Sequence, residues 1–482
     1  MHPLCKTRTR IEKANLMSSP VFPDTTTGAV AHDRLRALGV ASLLVPGDAG
    51  YPAAIAGFNL RVAHRPDLVV AASSAADIAH AVRVAGELDL SVTVLGLGHG
   101  IQRVVDGGIL ITTTGLASVT VDPGQRTARV GAGTQWQAVL DAATPHGLAP
   151  LCGSSPLVGV VGYLLGGGVG PVARSYGFAA DHVRELEVVT GTGDIVRADP
   201  TTDPELFWAL RGGKHGLGIV TEVVLDLVPL ATVFAGGLFF PASQARAVLQ
   251  TWAEWSATVS DSVTTSVAVL RLPPLPHLPE PLRGQTVVHV RVAIVTDDAD
   301  AAERIVAPLR AVGPRLIDAV TELPYAQIAM VHQDPTEPMP IVEGGALLSD
   351  LDADAVDALL AAAGPQADVP LVMVELRRLG GALGREPRHP NAVPGRDAAY
   401  SVFVIGAPVP ELFPVLPGII RGVLAALTPW RSPRSLPNFL GSANVAADYR
   451  GAWDPETRAR LDAVRAAVDP RGVFGFDPEG VN

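Results

Sequence analysis

The chain of 482 residues is 48% hydrophobic and 18% charged, and 37 Lys+Arg against 48 Asp+Glu leave a formal net charge of −11. That length exceeds one ordinary core and calls for two domains, and a composition half apolar excludes intrinsic disorder. The acidic balance argues against a nucleic-acid binder, which would carry a basic face, and mildly repels anionic partners. Two cysteines, Cys5 and Cys152, cannot build a disulfide framework, and no Cys/His spacing suits zinc, so no metal is expected. No run of about twenty apolar residues is available to span a bilayer. Lys6, Arg8, Arg10 and Lys13 are not followed by the apolar stretch of a secretory signal, which reads as a cytoplasmic chain without membrane contact. Residues 1–35 read as a flexible extension, with Met17 a candidate native start.

In chain order, Leu68-Val69-Val70, Val92 to Leu95, Ile109-Leu110-Ile111 and Val119-Thr120-Val121 have strand character. Between the first two, Ile78, Ala81, Val82, Ala85 and Leu88 recur at helical spacing, and Ser74 with Asp77 forms a plausible N-terminal cap. The strand from Val92 runs into Leu95-Gly96-Leu97-Gly98-His99-Gly100. Such a loop of small residues can press backbone N–H groups against a pyrophosphate while offering one imidazole to a cofactor ring. By itself the pattern more often marks a plain tight turn.

Two further tracts follow: Ser154-Ser155-Pro156-Leu157-Val158-Gly159-Val160-Val161-Gly162-Tyr163-Leu164-Leu165-Gly166-Gly167-Gly168-Val169-Gly170, then Leu206-Phe207-Trp208-Ala209-Leu210-Arg211-Gly212-Gly213. Asp203-Pro204 opens a helix, and Ile219, Thr221, Val223, Leu225 and Leu227 alternate on one strand face. Beyond Pro229 strand candidates (Val263 to Leu272, Thr286 to Val295, Leu371 to Arg377, Ala399 to Ile405) alternate with Ala-rich helices. The tract from Pro273 to Pro281 cannot be a central strand and reads as a surface connection.

The three glycine tracts, in this order, resemble the vanillyl-alcohol-oxidase/p-cresol-methylhydroxylase flavoproteins, in particular the berberine-bridge-enzyme-like branch. The likeness extends from Val45-Pro46-Gly47-Asp48 through Val130-Gly131-Ala132-Gly133 and Tyr176 to Asp181, ending at Asp469-Pro470 with Val473-Phe474. It implies an α+β fold: a two-part FAD-binding domain of the p-cresol-methylhydroxylase type over 36–228, an antiparallel-sheet substrate domain over 229–430, and a segment 431–482 returning to the flavin domain.

The resemblance also assigns residues. His99 falls where the family bonds covalently to the flavin, which raises its potential and prevents its loss. Ser155 stands where many members carry a second, cysteinyl link, so that link is impossible here, and Cys152 reads as a small buried residue. Val158 falls at the position governing oxygen approach, and Tyr163 replaces a family histidine near the flavin's pyrimidine end. The cofactor set is therefore Leu95, Gly96, Leu97, Gly98, His99, Gly100, Ser154, Val158, Gly159, Gly162, Tyr163, Gly218, Val220 and Asn444, the last from aligning Ser442-Ala443-Asn444 with the family's Tyr-x-Asn motif.

Taking a hydride from an alcohol or amine carbon also requires a group to receive the O–H or N–H proton. The strand position that often supplies it corresponds to Phe403, leaving Tyr176, Glu375 and Tyr400 as catalytic candidates. Glu375 shares a strand face with Met373 and Arg377, whereas a surface ion pair is the plainer reading of that carboxylate and guanidinium. His332 is a further cavity candidate. The function implied is an FAD-dependent oxidase acting on a small organic alcohol, amine or ring carbon with O2 as acceptor; the alternative is a redox-neutral cyclase or isomerase on the same fold. The oligomeric state is open.

Overall fold

A computed structural model describes residues 25–100, 104–443 and 449–475. The first lobe is a four-stranded sheet in the order Leu43–Leu44, Leu68–Ala71, Ile109–Thr112, Val92–Leu95. The last three strands pair in parallel. The helix Ala75–Leu88 covers the sheet, opened by a capping box in which the Ser74 hydroxyl accepts from Asp77 N and the Asp77 carboxylate accepts from Ser74 N. The expected flexible extension is corrected over its second part: Thr25–Ala37 is a helix packed on Ala75–Leu88. Ala31 and Leu35, one turn apart, are wholly buried in the core beneath it.

A second, five-stranded antiparallel sheet runs Val119–Asp122, Thr127–Gly131, Ile219–Asp226, Val183–Val189, Ile195–Ala198. Trp136–Ala143 and Pro204–Leu210 supply large buried side chains to the same core, among them Trp136 and Phe207. The C-terminal helix Pro455–Val468 packs on Pro204–Leu210, and Val473 O accepts from Val92 N at 2.7 Å, so the end of the described chain returns to the first lobe.

The third sheet has eight strands. Its path is Ile317–Asp318, Thr232–Pro241, Thr286–Ile294, Val263–Arg271, Leu371–Arg378, Tyr400–Gly406 and Glu343–Leu348, with Thr321–Pro324 also pairing with Thr232–Pro241, and every pairing is antiparallel. Side chains alternate between its faces. One face presents Leu238, Val290, Val267, Leu376, Val402 and Ala346 to four helices, Ala245–Thr258, Ala299–Arg310, Ala353–Ala363 and Leu416–Ala426. The other carries two rows set by the register: Gly237, Arg291, Ser266, Arg377, Ser401 and, beside it, Phe239, His289, Ala268, Glu375, Phe403, Gly345. This second face meets the second glycine tract, from the lobe of the five-stranded sheet, at Val169, Gly170 and Pro171. The proline-rich segment after Arg271 runs over the surface as expected. Among the described residues no helix is long and apolar enough to cross a membrane.

Candidate active site

The strand Val92–Leu95 delivers Leu95 into a small core with Tyr51, Val69 and Leu110, so the side chain anchors the strand and only its backbone faces the loop. Gly98 has φ +71°, and a Cβ there would stand 2.4 Å from Gly57 Cα, closer than real side chains approach. The loop therefore lies flat on residues 57–58, and Gly98 O accepts from Phe58 N at 3.2 Å. His99 stacks on the Phe58 ring, centroids 4.1 Å apart and planes 15° from parallel. Both His99 ring nitrogens are buried and have no hydrogen-bond partner among the described residues. Burial pushes its pKa down to about 4, so the imidazole is neutral at physiological pH.

Behind Phe58 the substrate-domain chain is sewn on: Met339 N donates to Phe58 O, and Asn59 exchanges side-chain hydrogen bonds with both backbone groups of Ile341. The first two glycine tracts also meet, since Leu97 Cδ1 lies 3.3 Å from the position of a Gly159 Cβ. Val158 is half-buried against the flavin-lobe core, and its carbonyl accepts from Trp136 N while Val160 N donates to Thr134 O. Ser154 is half-buried, Gly96 and Gly100 are exposed, and Gly162 has open space where a side chain would begin. An imidazole whose two covered nitrogens lack partners among the described residues, on a loop pressed flat at Gly98 and facing open space at Gly162, suits the flavin and pyrophosphate of an FAD.

Asn444 lies outside the described residues; among those described, an asparagine at the glycine tract is Asn438. Its Nδ2 donates to Tyr163 O at 2.9 Å and its Oδ1 accepts from Lys214 Nζ at 2.6 Å. Gly166 must be glycine, because a Cβ would stand 2.0 Å from Asn438 Oδ1. Lys214 also donates to Gly162 O, and burial pushes its pKa down to about 8. The Pro437-Asn438-Phe439 turn is the signal that was available: an asparagine between a proline and an aromatic, just before Gly441. Tyr163 is buried, its hydroxyl without a hydrogen-bond partner among the described residues, and burial holds its pKa well above the ordinary value. Gly218 and Val220 are turned to packing, Gly218 against Val188 and Val220 into the core, which leaves only their backbone for a ligand. Cys152 is buried, and burial pushes its pKa up to about 12, as befits an inert thiol.

On the sheet face opposite, Glu375 is 0% exposed and every near donor converges on it. Ser266 Oγ donates to Oε1 at 3.0 Å, Arg291 Nη1 donates to the same oxygen, Arg377 Nε donates to Oε2 at 2.7 Å, and His332 Nε2 stands 3.8 Å away. Burial pushes the Glu375 pKa up, but the charges of Arg377 and Arg291 outweigh it and hold the carboxyl below its ordinary value. A carboxylate so held is a poor proton acceptor, which corrects the expectation of Glu375 as catalytic base. The plainer surface-pair reading is corrected too, because this pair is buried. Burial, then Arg291 and Arg377, push His332 well below its usual pKa. The Arg377 guanidinium lies 5.0 Å from the centre of Phe439, whose ring meets Phe403 edge-on.

The other two catalytic candidates sit elsewhere. Tyr400 points to the helix-covered face, its ring 5.9 Å from Trp252 and its hydroxyl 3.4 Å from Ser256 Oγ, because it is an odd number of residues from Phe403. Tyr176 is half-buried against the flavin-lobe core, outside the Glu375 cluster, with its pKa raised by burial and then by Asp297. The carboxylate that sequence reading missed is Glu343, which opens the strand Glu343–Leu348 on the same face as Gly345. It is half-buried beside Gly441, and burial pushes its pKa up to about 7.

Fold and site together define an FAD-linked oxidoreductase, and a family model described as an FAD-binding domain matches residues 66–199. The chain is 27% identical to (R)-6-hydroxynicotine oxidase of Paenarthrobacter nicotinovorans, over 91% of its own length and 97% of that protein's. A crystal structure of 6-hydroxy-D-nicotine oxidase from Arthrobacter nicotinovorans has a TM-score of 0.77 at 26% identity, covering 91% of this chain and 98% of that one. A glucooligosaccharide oxidase from Acremonium strictum, whose FAD is attached through a cysteine and a histidine, shares the fold at TM-score 0.78 and 20% identity, covering 92% and 97%. The chain thus carries an FAD-binding domain and is similar over nearly its whole length to an FAD-linked oxidase, and it shares the fold of berberine-bridge-enzyme-like flavoproteins. These relatives are oxidases, which does not favour the redox-neutral alternative.

Proposed function

We propose that this FAD-dependent oxidase holds its cofactor covalently through His99 and removes a hydride from a small organic substrate, an alcohol, amine or ring carbon, with O2 as final acceptor. One observation carries the attachment: a neutral imidazole, stacked on Phe58 at the meeting of two glycine tracts, with neither nitrogen engaged by the described residues. When bound, FAD supplies the hydride acceptor and passes the electrons to O2.

The chain's own residues bind, orient and move the proton. Residues 95–100 and the tract from Ser154 to Tyr163 would hold the flavin and its pyrophosphate, within a flavin domain over 36–228 completed by 431–482. Val158 borders the approach of oxygen. The substrate domain, 229–430, closes the opposite wall with Phe403 and Arg377. Glu343, with a pKa pushed up to about 7, takes the substrate's O–H or N–H proton near physiological pH, while Glu375 fixes the direction of Arg377.

Purification in the presence of FAD tests this. A yellow protein that keeps its colour through acid precipitation, loses that acid-stable colour in His99→Ala, and bleaches on anaerobic substrate addition is the expected result, with peroxide released on readmission of air. A folded protein that stays colourless with added FAD overturns it. Colour released by acid from the unaltered chain removes the covalent bond and leaves FAD binding intact.

A further inference from the structure

The guanidiniums on the substrate-domain face are only partly used. Arg377 spends Nε on Glu375, and among the described residues its two terminal nitrogens have no hydrogen-bond partner. Arg291 spends Nε on His289 Nδ1 and Nη1 on Glu375, leaving Nη2 in the same condition. Both arginines line a narrow cavity between the lobes, walled by Gly170, Thr264, Ser266 and His332. His332 is 8% exposed, and its Nδ1 is a second buried polar atom without a partner there.

The one carboxylate among these groups, Glu375, already accepts from three donors. Two fixed cations share it, and Asp334 adds its field to Arg377 without coming within ion-pair range. Arg378 also borders the cavity, but its guanidinium turns away over the Tyr400 ring and donates to Ala399 O. What the cavity offers is therefore directed N–H groups with positive charge behind them, and a group that completes them must be an acceptor.

We infer that this cavity receives an anionic oxygen group of the substrate, a carboxylate, on the open fork of Arg377 with Arg291 behind it. The inference rests on the oxidase reading and narrows its substrate to organic acids that carry the oxidisable carbon. A planar fork matches a carboxylate through two parallel hydrogen bonds, and charge-assisted bonds of this kind are about twice as strong as neutral ones. It also reverses the bulk expectation: a chain of net charge −11 repels anions at a distance, yet at this point it presents cations whose own counter-ion is shared. A protonated amine would meet the same two cations and be disfavoured. Glu375 and Ser266 act as positioning residues, since the Nε bond to Glu375 sets which edge of Arg377 faces the cavity.

The test is a titration of the FAD-loaded enzyme with three probes of nearly one shape, benzoate, benzamide and benzylamine, followed by the flavin's visible spectrum and by calorimetry. Benzoate is expected to bind at least ~10-fold more tightly than benzamide, with benzylamine weakest. Arg377→Gln should erase the preference for benzoate while leaving benzamide unchanged, and Arg377→Lys should retain part of it, because charge remains and the fork is lost. Equal binding of benzoate and benzamide, tighter binding of benzylamine, no binding of benzoate, or an unchanged preference in Arg377→Gln each overturn the inference. The comparison of probes on the unaltered enzyme decides it even if a variant fails to fold. A yellow enzyme that bleaches with substrate but shows no preference for benzoate loses the acid site and keeps the oxidase reading.

Discussion

Leu376 and Glu375 are neighbours in one strand, 1% and 0% exposed, and they are kept from water by opposite physics. Leu376 belongs to a face of Val, Leu and Ala side chains under four helices, where burial of apolar area is itself the driving force. Glu375 belongs to the face toward the flavin lobe, where desolvating its charge costs free energy that only Arg291, Arg377 and Ser266 offset. Depth of burial thus fails to separate core from site. The distinction lies in what each face leaves over: the helix side is a continuous apolar cluster, whereas the flavin side retains unspent donors on two arginines and a histidine nitrogen without a partner among the described residues.

That contrast breaks first at Glu375. Glu375→Ala strands two buried cations and should destabilise the protein by about 3–5 kcal/mol, seen as a shift of the denaturant midpoint; a stability within 1 kcal/mol of the parent, on the order of a surface change, would place the pair in solvent. Leu376→Ala sharpens the comparison from the other side. A loss of about 2–5 kcal/mol is expected from the cavity it leaves, but with the flavin spectrum and benzoate titration of the folded fraction unchanged; a displaced titration would mean that the two faces are coupled.

Proton transfer gives a smaller, pH-dependent effect. With a pKa near 7 in the fold against an ordinary 4.5, Glu343 keeps its proton to higher pH when folded than when unfolded. Its contribution to stability is therefore present below about 4.5 and is lost as pH rises to about 7. As proton acceptor it works in the opposite sense, so kcat/KM should rise about tenfold per pH unit below that value. Glu343→Gln should flatten both profiles, and an acid limb that survives the substitution assigns the proton to another group. Least affected is Ser266→Ala, which removes one of three donors to Glu375 and should cost about 1.5 kcal/mol by thermal denaturation, with the Arg291 and Arg377 pairs intact.

The site was legible where chemistry is local. A strand that ends in Gly98-His99-Gly100 carries its own signature, and the capping pair Ser74 and Asp77 lies within one turn. Asn438 was marked in the sequence only by its turn and its role was not legible, because its partners Tyr163 and Lys214 are 275 and 224 residues away. The strands Thr232–Pro241 and Glu343–Leu348 were also missed, each weakened by a glycine pair. Those glycines answer to distant neighbours: a Cβ at Gly237 would stand 2.1 Å from His289 Nε2, and one at Gly345 2.4 Å from Phe439 O.

From the order of residues alone followed the class of fold and the cofactor, through the family resemblance that three glycine tracts carry, since such tracts are local and survive without knowledge of the rest. The tertiary structure decided which carboxylate is held by cations and which is raised by burial. It turned Tyr400 away, paired Glu375 with two arginines from different strands, and left Glu343 half-buried with no ion pair among the described residues. A side chain's proton affinity depends on charges and desolvation set by segments far apart in the chain, and that arrangement exists only once the sheet is assembled.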